Sequence, residues 1–523
     1  VFSAGTAFPK PMLPKSSGYP ICTGDTMVFS SYIFLFAFLP LVLLGYYLLS
    51  RLKDPIYQRL FLIGASLFFY GYFNPSYLLI IVVSIFVNYL LAACISGGKG
   101  KFQAVCFWLG VLFNVGLLGY FKYRDFFVEN INALFHTSFL LKHIALPLGI
   151  SFFTFQQVSF IVDRCQHKAE HYPFIDYVTF VTFFPQLVAG PIVLYKEMMP
   201  QFADKHLRSF NRENFAKGIS LFTLGLSKKV LLADVLALPV NYGFTNTAFL
   251  DSPSTLLVIL AYTFEIYFDF SGYSDMAMGL GLLFNIKLPV NFNSPYKACT
   301  VKELWQRWHI TLSRFFIQYV YIPLGGSRKG KVRTLINTFL VFFLSGLWHG
   351  ANWTYVAWGS MQGLLVVFDN LHLIGVKGSN EKEKARFYIP KWLGVFFTFT
   401  FFNLSLFFFR SDSMTNAFIM FRNLFSFRST GYLTKIAAQL DIPEFYLIRQ
   451  AINLFQPSLL NTAYLILFVL LLVISAVLIS RKNALQLVEE KSLTGKFSLV
   501  IVVLFCWCII SFSQVSTFIY FNF

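Results

Sequence analysis

The chain has 523 residues, 56% of them hydrophobic and only 13% charged, against roughly 25% charged in a soluble globular domain, and it carries 66 Phe and 27 Tyr. That excludes a soluble fold with one core. It predicts an all-α polytopic membrane protein, with room at about 20 apolar residues per span for roughly 11–14 transmembrane or re-entrant helices. The formal net charge is +18, but the basic residues are scattered between apolar segments, which fits cytoplasmic loops and excludes a nucleic-acid-binding domain.

Residues 1–26 are rich in Pro, Ser, Gly and Thr and lack the apolar core of a signal peptide. They read as a non-native or disordered extension, with Met27 as the natural start of a single transmembrane domain over 27–523. From there apolar stretches recur at 28–50, 59–73, 76–96, 104–121, 144–163, 174–193, 215–240, 254–286, 335–348, 352–374, 391–409, 459–480 and 497–515. Pro and Gly break 146–153 (LPLGISFF) and 183–192 (FFPQLVAGPI), which predicts irregular backbone buried in protein or lining a cavity. Lys228, Lys229 and Asp234 interrupt 215–240, as in an interfacial or re-entrant helix. The longest polar interruptions are 287–334, 376–390 and 426–457. The seven cysteines show no paired zinc spacing, so no metal site is expected.

Basic clusters at 50–54, 97–101 and 307–333 mark cytoplasmic loops. The last contains Arg307, Arg314, Arg328 and Lys329, which read either as topology determinants or as a docking surface for a phosphate-bearing donor or an acidic carrier protein.

Ionisable residues inside lipid are functional candidates by default. His349 closes the run 336–350 among Gly346, Trp348, Gly350 and Trp353. Glycines there permit close approach of another backbone or a substrate. A neutral imidazole in such surroundings suits a general base; a hydrogen-bonded structural histidine at a helix junction has the same signature. His309 lies forty residues earlier, where Trp305, Trp308, Phe315 and Phe316 alternate with Arg307 and Arg314. That alternation predicts an amphipathic helix on the cytoplasmic face with a surface histidine. Glu265, Asp269 and Asp275 fall in one apolar run and need partners; they form buried ion pairs and line a polar tunnel, or else an ion path. The chain closes on Phe518, Tyr520 and Phe523, an F-x-Y-x-x-F ending. It serves as an aromatic anchor, or Tyr520 presents its hydroxyl in a cavity as an acyl acceptor.

In this order, the stretches 27–40, 146–163, 183–192, 225–234, 267–296, RWHITLS (307–313) and GLWHGANW (346–353) resemble the membrane-bound O-acyltransferase superfamily, and within it the bacterial alginate O-acetyltransferase-like and D-alanyl transferase-like branch. The resemblance implies a ring-like helical bundle with a central tunnel, in a multi-pass protein of the bacterial inner membrane. It maps the family's two histidines onto His309 and His349, the second intramembrane and essential. Trp348, Asn352, Asp269 and Asp275 then line or support the tunnel. The implied donor is acetyl-CoA or another acyl thioester, with no bound cofactor. The implied partners are a secreted or tethered SGNH-hydrolase-like transferase and a polysaccharide acceptor. Because this chain carries the F-x-Y-x-x-F pattern itself, Tyr520 becomes a candidate acyl relay. Alternatives are D-alanyl transfer to teichoic acid and an ion-coupled transporter.

Overall fold

The structure is a computed structural model and describes residues 27–166, 173–377, 385–491 and 494–512. Residues 1–26 and the closing Phe518, Tyr520 and Phe523 lie outside the described residues. Six described helices are long and apolar enough to cross a membrane: Pro75–Gly97, Gly100–Phe135, Ser252–Leu283, Lys331–His349, Lys391–Arg410 and Pro457–Ser480. Phe34–Leu49 and Gly495–Ile510 are shorter apolar helices. An all-helical build is what lipid demands, because a helix satisfies its backbone hydrogen bonds within itself. Among the described residues the exception flanks the 376–390 interruption, where Ile374–Val376 pairs in parallel with Phe387–Ile389.

The Ser252–Leu283 helix is the core of the fold. Its residues are mostly apolar or small on every side, the pattern of a helix enclosed by protein, with Glu265, Asp269 and Asp275 the charged exceptions, and most of it is buried. Asp251 caps its start: Oδ1 accepts from Ser254 N at 3.0 Å, while Oδ2 accepts from Thr430 N at 2.6 Å and Thr430 Oγ1 at 3.0 Å. Burial works to raise this carboxyl, but the hydrogen bonds from Ser254 and Thr430 outweigh it and hold it below the usual carboxylate range.

The Arg212–Ser227 helix lies along this core helix on two glycine contacts. A Cβ on Gly218 would meet the Gly279 carbonyl oxygen at 2.9 Å, and one on Gly272 would meet the Gly225 carbonyl oxygen at 2.7 Å. Small residues are what allow two membrane helices to approach so closely. Lys228–Ala233 then forms a π-helical turn before Asp234–Thr245. The wider turn sends two consecutive lysines to one neighbour: Lys228 Nζ is 2.5 Å from Asp275 and Lys229 Nζ 2.6 Å from Asp269. Lys229 also meets Asp234 at 2.7 Å. The charges that suggested an interfacial helix are therefore neutralised inside the protein, with Lys229 buried.

The two Pro/Gly-rich stretches meet. Gly149 holds φ +70°, and a Cβ there would lie 2.8 Å from the Leu187 carbonyl oxygen. Residues 181–195 are buried although only partly helical. Their backbone finds partners elsewhere: Phe184 N donates to Ser66 Oγ at 3.2 Å and Ile192 N to Thr311 Oγ1 at 3.0 Å. This is irregular backbone enclosed by protein, as expected.

Candidate active site

The Lys331–His349 helix carries His349 as its last residue. It is drawn against Trp353–Asp369 by a second glycine contact, since a Cβ on Gly359 would lie 2.6 Å from the Phe342 carbonyl oxygen. That approach sets Trp358 beside the histidine. The buried His349 ring lies 5.0 Å from Trp348, 5.2 Å from Trp358 and 5.3 Å from Phe409 between ring centroids. The glycines flanking His349 thus serve the close approach expected of them. Gly346 faces the Trp353–Asp369 backbone, and Gly350 faces the Tyr355 ring.

The last carbonyls of any helix need outside donors. Here the Gly100–Phe135 helix supplies them. Its π-helical turn at Gly119–Tyr123 carries two consecutive donors. Lys122 Nζ donates to the Trp348 and His349 carbonyl oxygens at 2.6 and 3.1 Å, and Tyr123 Oη to the Leu347 oxygen at 2.8 Å. Lys122 Nζ also lies 5.6 Å from the centre of the Trp348 ring. The Gly100–Phe135 helix is itself fixed by a buried polar cluster. Asn114 Nδ2 donates to Asn88 Oδ1 at 2.5 Å, and Ser84 Oγ to Gln157 Oε1 at 2.6 Å.

His309 is not on the surface. It is fully buried, which corrects the amphipathic reading of its segment. Two short helices, Val301–Arg307 and Ile310–Phe316, break at Trp308–His309, and His309 takes φ +44°. That left-handed backbone is uncommon for a residue with a side chain and is the kind of strain that persists at functional sites. The break turns the ring inward onto Phe270, centroids 4.7 Å apart, and toward Trp348 at 6.3 Å. Trp348 therefore touches both histidines.

Asn291 fixes the His309 ring. Asn291 Oδ1 accepts from Thr311 N at 3.3 Å and Thr311 Oγ1 at 2.9 Å, and lies 3.1 Å from His309 Nδ1. The backbone N–H identifies that Asn291 atom as the oxygen. His309 Nδ1 is then the protonated nitrogen, which leaves the lone pair of the neutral ring on Nε2.

The remaining sequence candidates fall in three places. Asn352 caps the Trp353–Asp369 helix, accepting from Thr354 N at 3.0 Å, and donates to the Asp412 carbonyl oxygen at 2.9 Å. Asp269 and Asp275 sit in the ion pairs of the core helix. Lys228, the partner of Asp275, borders a cavity of about 460 Å³ walled by Leu231, Leu238, Leu471 and Ile474. Among the cations, Arg307 is held by Glu303 at 2.7 Å and Arg314 by Glu197 and the Ile192 carbonyl oxygen. Burial works to raise the Glu303 carboxyl, but hydrogen bonds from Cys299 and the Arg307 guanidinium keep it below the usual carboxylate range. Arg328 and Lys329 are exposed. Lys122, Asn291 and Trp358 were not singled out from the sequence. For Lys122 a signal existed, a cation closing the apolar run 104–121.

Two histidines from separate segments pack on one buried tryptophan, an arrangement chemically able to take up and return a proton. Residues 125–411 match the profile of MBOAT, the membrane-bound O-acyltransferase family, and the chain belongs to that family. It is thus an O-acyltransferase and a multi-pass membrane protein. It is 37% identical to a peptidoglycan O-acetyltransferase of Helicobacter pylori, over 95% of this chain and 98% of the relative. It is 40% identical to a "Probable alginate O-acetylase" of Pseudomonas aeruginosa, over 77% of this chain and 75% of the relative. A teichoic acid D-alanyltransferase of Streptococcus thermophilus is 28% identical over 48% of this chain and 65% of its own length.

Proposed function

We propose that this enzyme, seated in a bacterial inner membrane, carries an acetyl group from a cytoplasmic thioester, acetyl-CoA, to a hydroxyl of an extracytoplasmic cell-wall polysaccharide or exopolysaccharide. His349 acts as general base, with His309 holding a second lone pair across Trp348. The hydroxyl oxygen bonds to the thioester carbonyl carbon, the C–S bond breaks, and the thiolate recovers the proton that His349 removed. Tyr520 is the first hydroxyl in this reading. An SGNH-hydrolase-like partner then moves the acetyl group from the Tyr520 ester to the polymer.

The observation that carries this reading is the meeting of His309 and His349 on Trp348. Arg328 and Lys329, the exposed cations, precede the other end of the Lys331–His349 helix, about 27 Å from His349 at 1.5 Å per residue. They suit the phosphates of a donor arriving from the opposite face. Coverage favours acetyl over D-alanyl transfer: the peptidoglycan O-acetyltransferase matches 95% of this chain and the D-alanyltransferase 48%.

The test uses purified enzyme in vesicles, fed acetyl-CoA or a D-alanyl carrier protein. Acetyl-CoA turnover that stops in His349→Ala supports the proposal; turnover of the carrier alone refutes it. An acetylated C-terminal peptide, seen by mass spectrometry, supports the relay. Transfer at wild-type rate in Tyr520→Phe removes it.

A further inference from the structure

A second cavity, of about 210 Å³, lies where the Gly100–Phe135 helix meets the turn after His349; Tyr120, Lys122, Phe126, Glu129, His143 and Ala351 border it. The 460 Å³ cavity has mostly aliphatic walls, whereas here cation, carboxylate, imidazole and aromatic groups make up most of the lining. One wall is the 139–143 loop, and it is fastened down. Asp125 accepts from Lys142 N at 3.2 Å and His143 N at 2.7 Å, and Arg124 donates to the Leu140 carbonyl oxygen at 3.1 Å. The opposite wall is fixed by Trp353, whose Nε1 donates to Asn130 Oδ1 at 2.9 Å and whose ring lies 5.7 Å from Phe126. A recess held in this way is formed before any ligand arrives, the condition for a small-molecule site.

Lys122 joins this cavity to the active site. An ammonium has three N–H donors; two go to the Trp348 and His349 carbonyl oxygens, which leaves one for a ligand oxygen. The cavity also lies at the His349 end of the Lys331–His349 helix, away from Arg328 and Lys329. Mixed charge argues against a simple anion or cation. Donors, acceptors and the aromatic rings of Tyr120 and Phe126 together match a ring with hydroxyls on its rim and C–H groups on its faces. The volume is close to that of one such ring. A protein partner needs a far broader surface, about 800 Å² per side.

We propose that this cavity binds a pyranose unit of the polysaccharide to which the partner passes the acetyl group, so that the membrane enzyme itself takes part in choosing the polymer. The inference rests on the acceptor class argued above. It assigns Glu129 and His143 to the sugar hydroxyls, with Lys122 placing the bound ring next to the His349 helix end.

The experiment measures binding and transfer separately on the full chain in lipid nanodiscs. The probes are an N-acetylglucosamine oligomer and a mannuronate oligomer, followed by saturation-transfer NMR; they distinguish a cell-wall from an exopolysaccharide ligand. One of them is expected to bind, and Glu129→Ala with His143→Ala is expected to weaken it about tenfold or more, a loss of about 1.4 kcal/mol. Both residues are exposed, so folding is retained. His349→Ala should leave binding intact and abolish transfer. Failure of both oligomers to bind, or binding that survives the double substitution, overturns the inference. Sugar binding without acetyl-CoA turnover would instead sink the proposed reaction and leave the cavity's role standing.

Discussion

Lys122 donates to the carbonyl oxygen of Trp348 at 2.6 Å, across 226 residues of chain. A cation at a helix C-terminus satisfies orphan carbonyls and the negative end of the helix dipole together. Here that helix end is also the attachment point of His349. Lys122→Met is therefore expected to lower transfer about 100-fold through misplacement of the imidazole, with little change in the KM for the thioester. Lys122→Arg should recover part of the rate, because a guanidinium can still donate to two carbonyls. Steady-state kinetics on both variants would check this; equal losses in kcat and donor affinity would contradict it.

His309 and His349 share Trp348, so their contributions should not add. Each alanine substitution is expected to remove nearly all transfer, and the double variant should be no slower than the worse single variant. Initial rates of acetyl-CoA turnover across the four proteins form the cycle.

Asn291 sets which nitrogen of His309 bears the lone pair. Asn291→Leu removes the acceptor for His309 Nδ1, Thr311 N and Thr311 Oγ1 together. Stranding buried donors costs about 1–3 kcal/mol each, so both thermal stability and activity should fall. Thr311→Val leaves the His309 hydrogen bond in place and should lower stability more than rate. A Thr311→Val enzyme as inactive as Asn291→Leu would argue against the tautomer assignment.

Asp251 predicts a pH dependence of stability. Its carboxyl is held below the usual carboxylate range in the folded protein. Its stabilisation is therefore complete above the ordinary aspartate pKa and is lost as pH falls through the lower, folded value. At neutral pH, Asp251→Ala should cost about 1–2 kcal/mol, the range for a lost N-cap. The gap between the two proteins should close on acidification. Thermal melts of both in detergent, from neutral to acid pH, measure it.

The helices and the burial of His349 were largely legible because lipid enforces helix on every apolar run and because His349 closes one of them. The burial of His309 was not. Alternating Trp and Arg between 305 and 316 match a surface helix, yet His309's left-handed backbone turns the ring inward, and Arg314 meets its carboxylate from Glu197. Contacts between distant segments, such as Lys122 with Trp348 or Asn291 with His309, leave no local pattern. The lysines at 228 and 229 misled for the same reason. Their partners Asp275 and Asp269 lie beyond a turn of chain, so a neutral pairing looks like a charged interruption.

That pairing has a consequence for how the protein is made. Each lysine or aspartate entering the bilayer centre alone carries a penalty of about 2.5–3.5 kcal/mol. Arg212–Ser227 with its π-helical continuation holds the cations, Ser252–Leu283 holds the matching carboxylates, and the Asp234–Thr245 helix with the 246–251 connection separates them. Lys228–Asp275 and Lys229–Asp269 neutralise one another only when the two segments are together. Their release from the insertion machinery is therefore coupled, and a charge removed from one should appear first as failed integration of the other, before any catalytic defect can be measured.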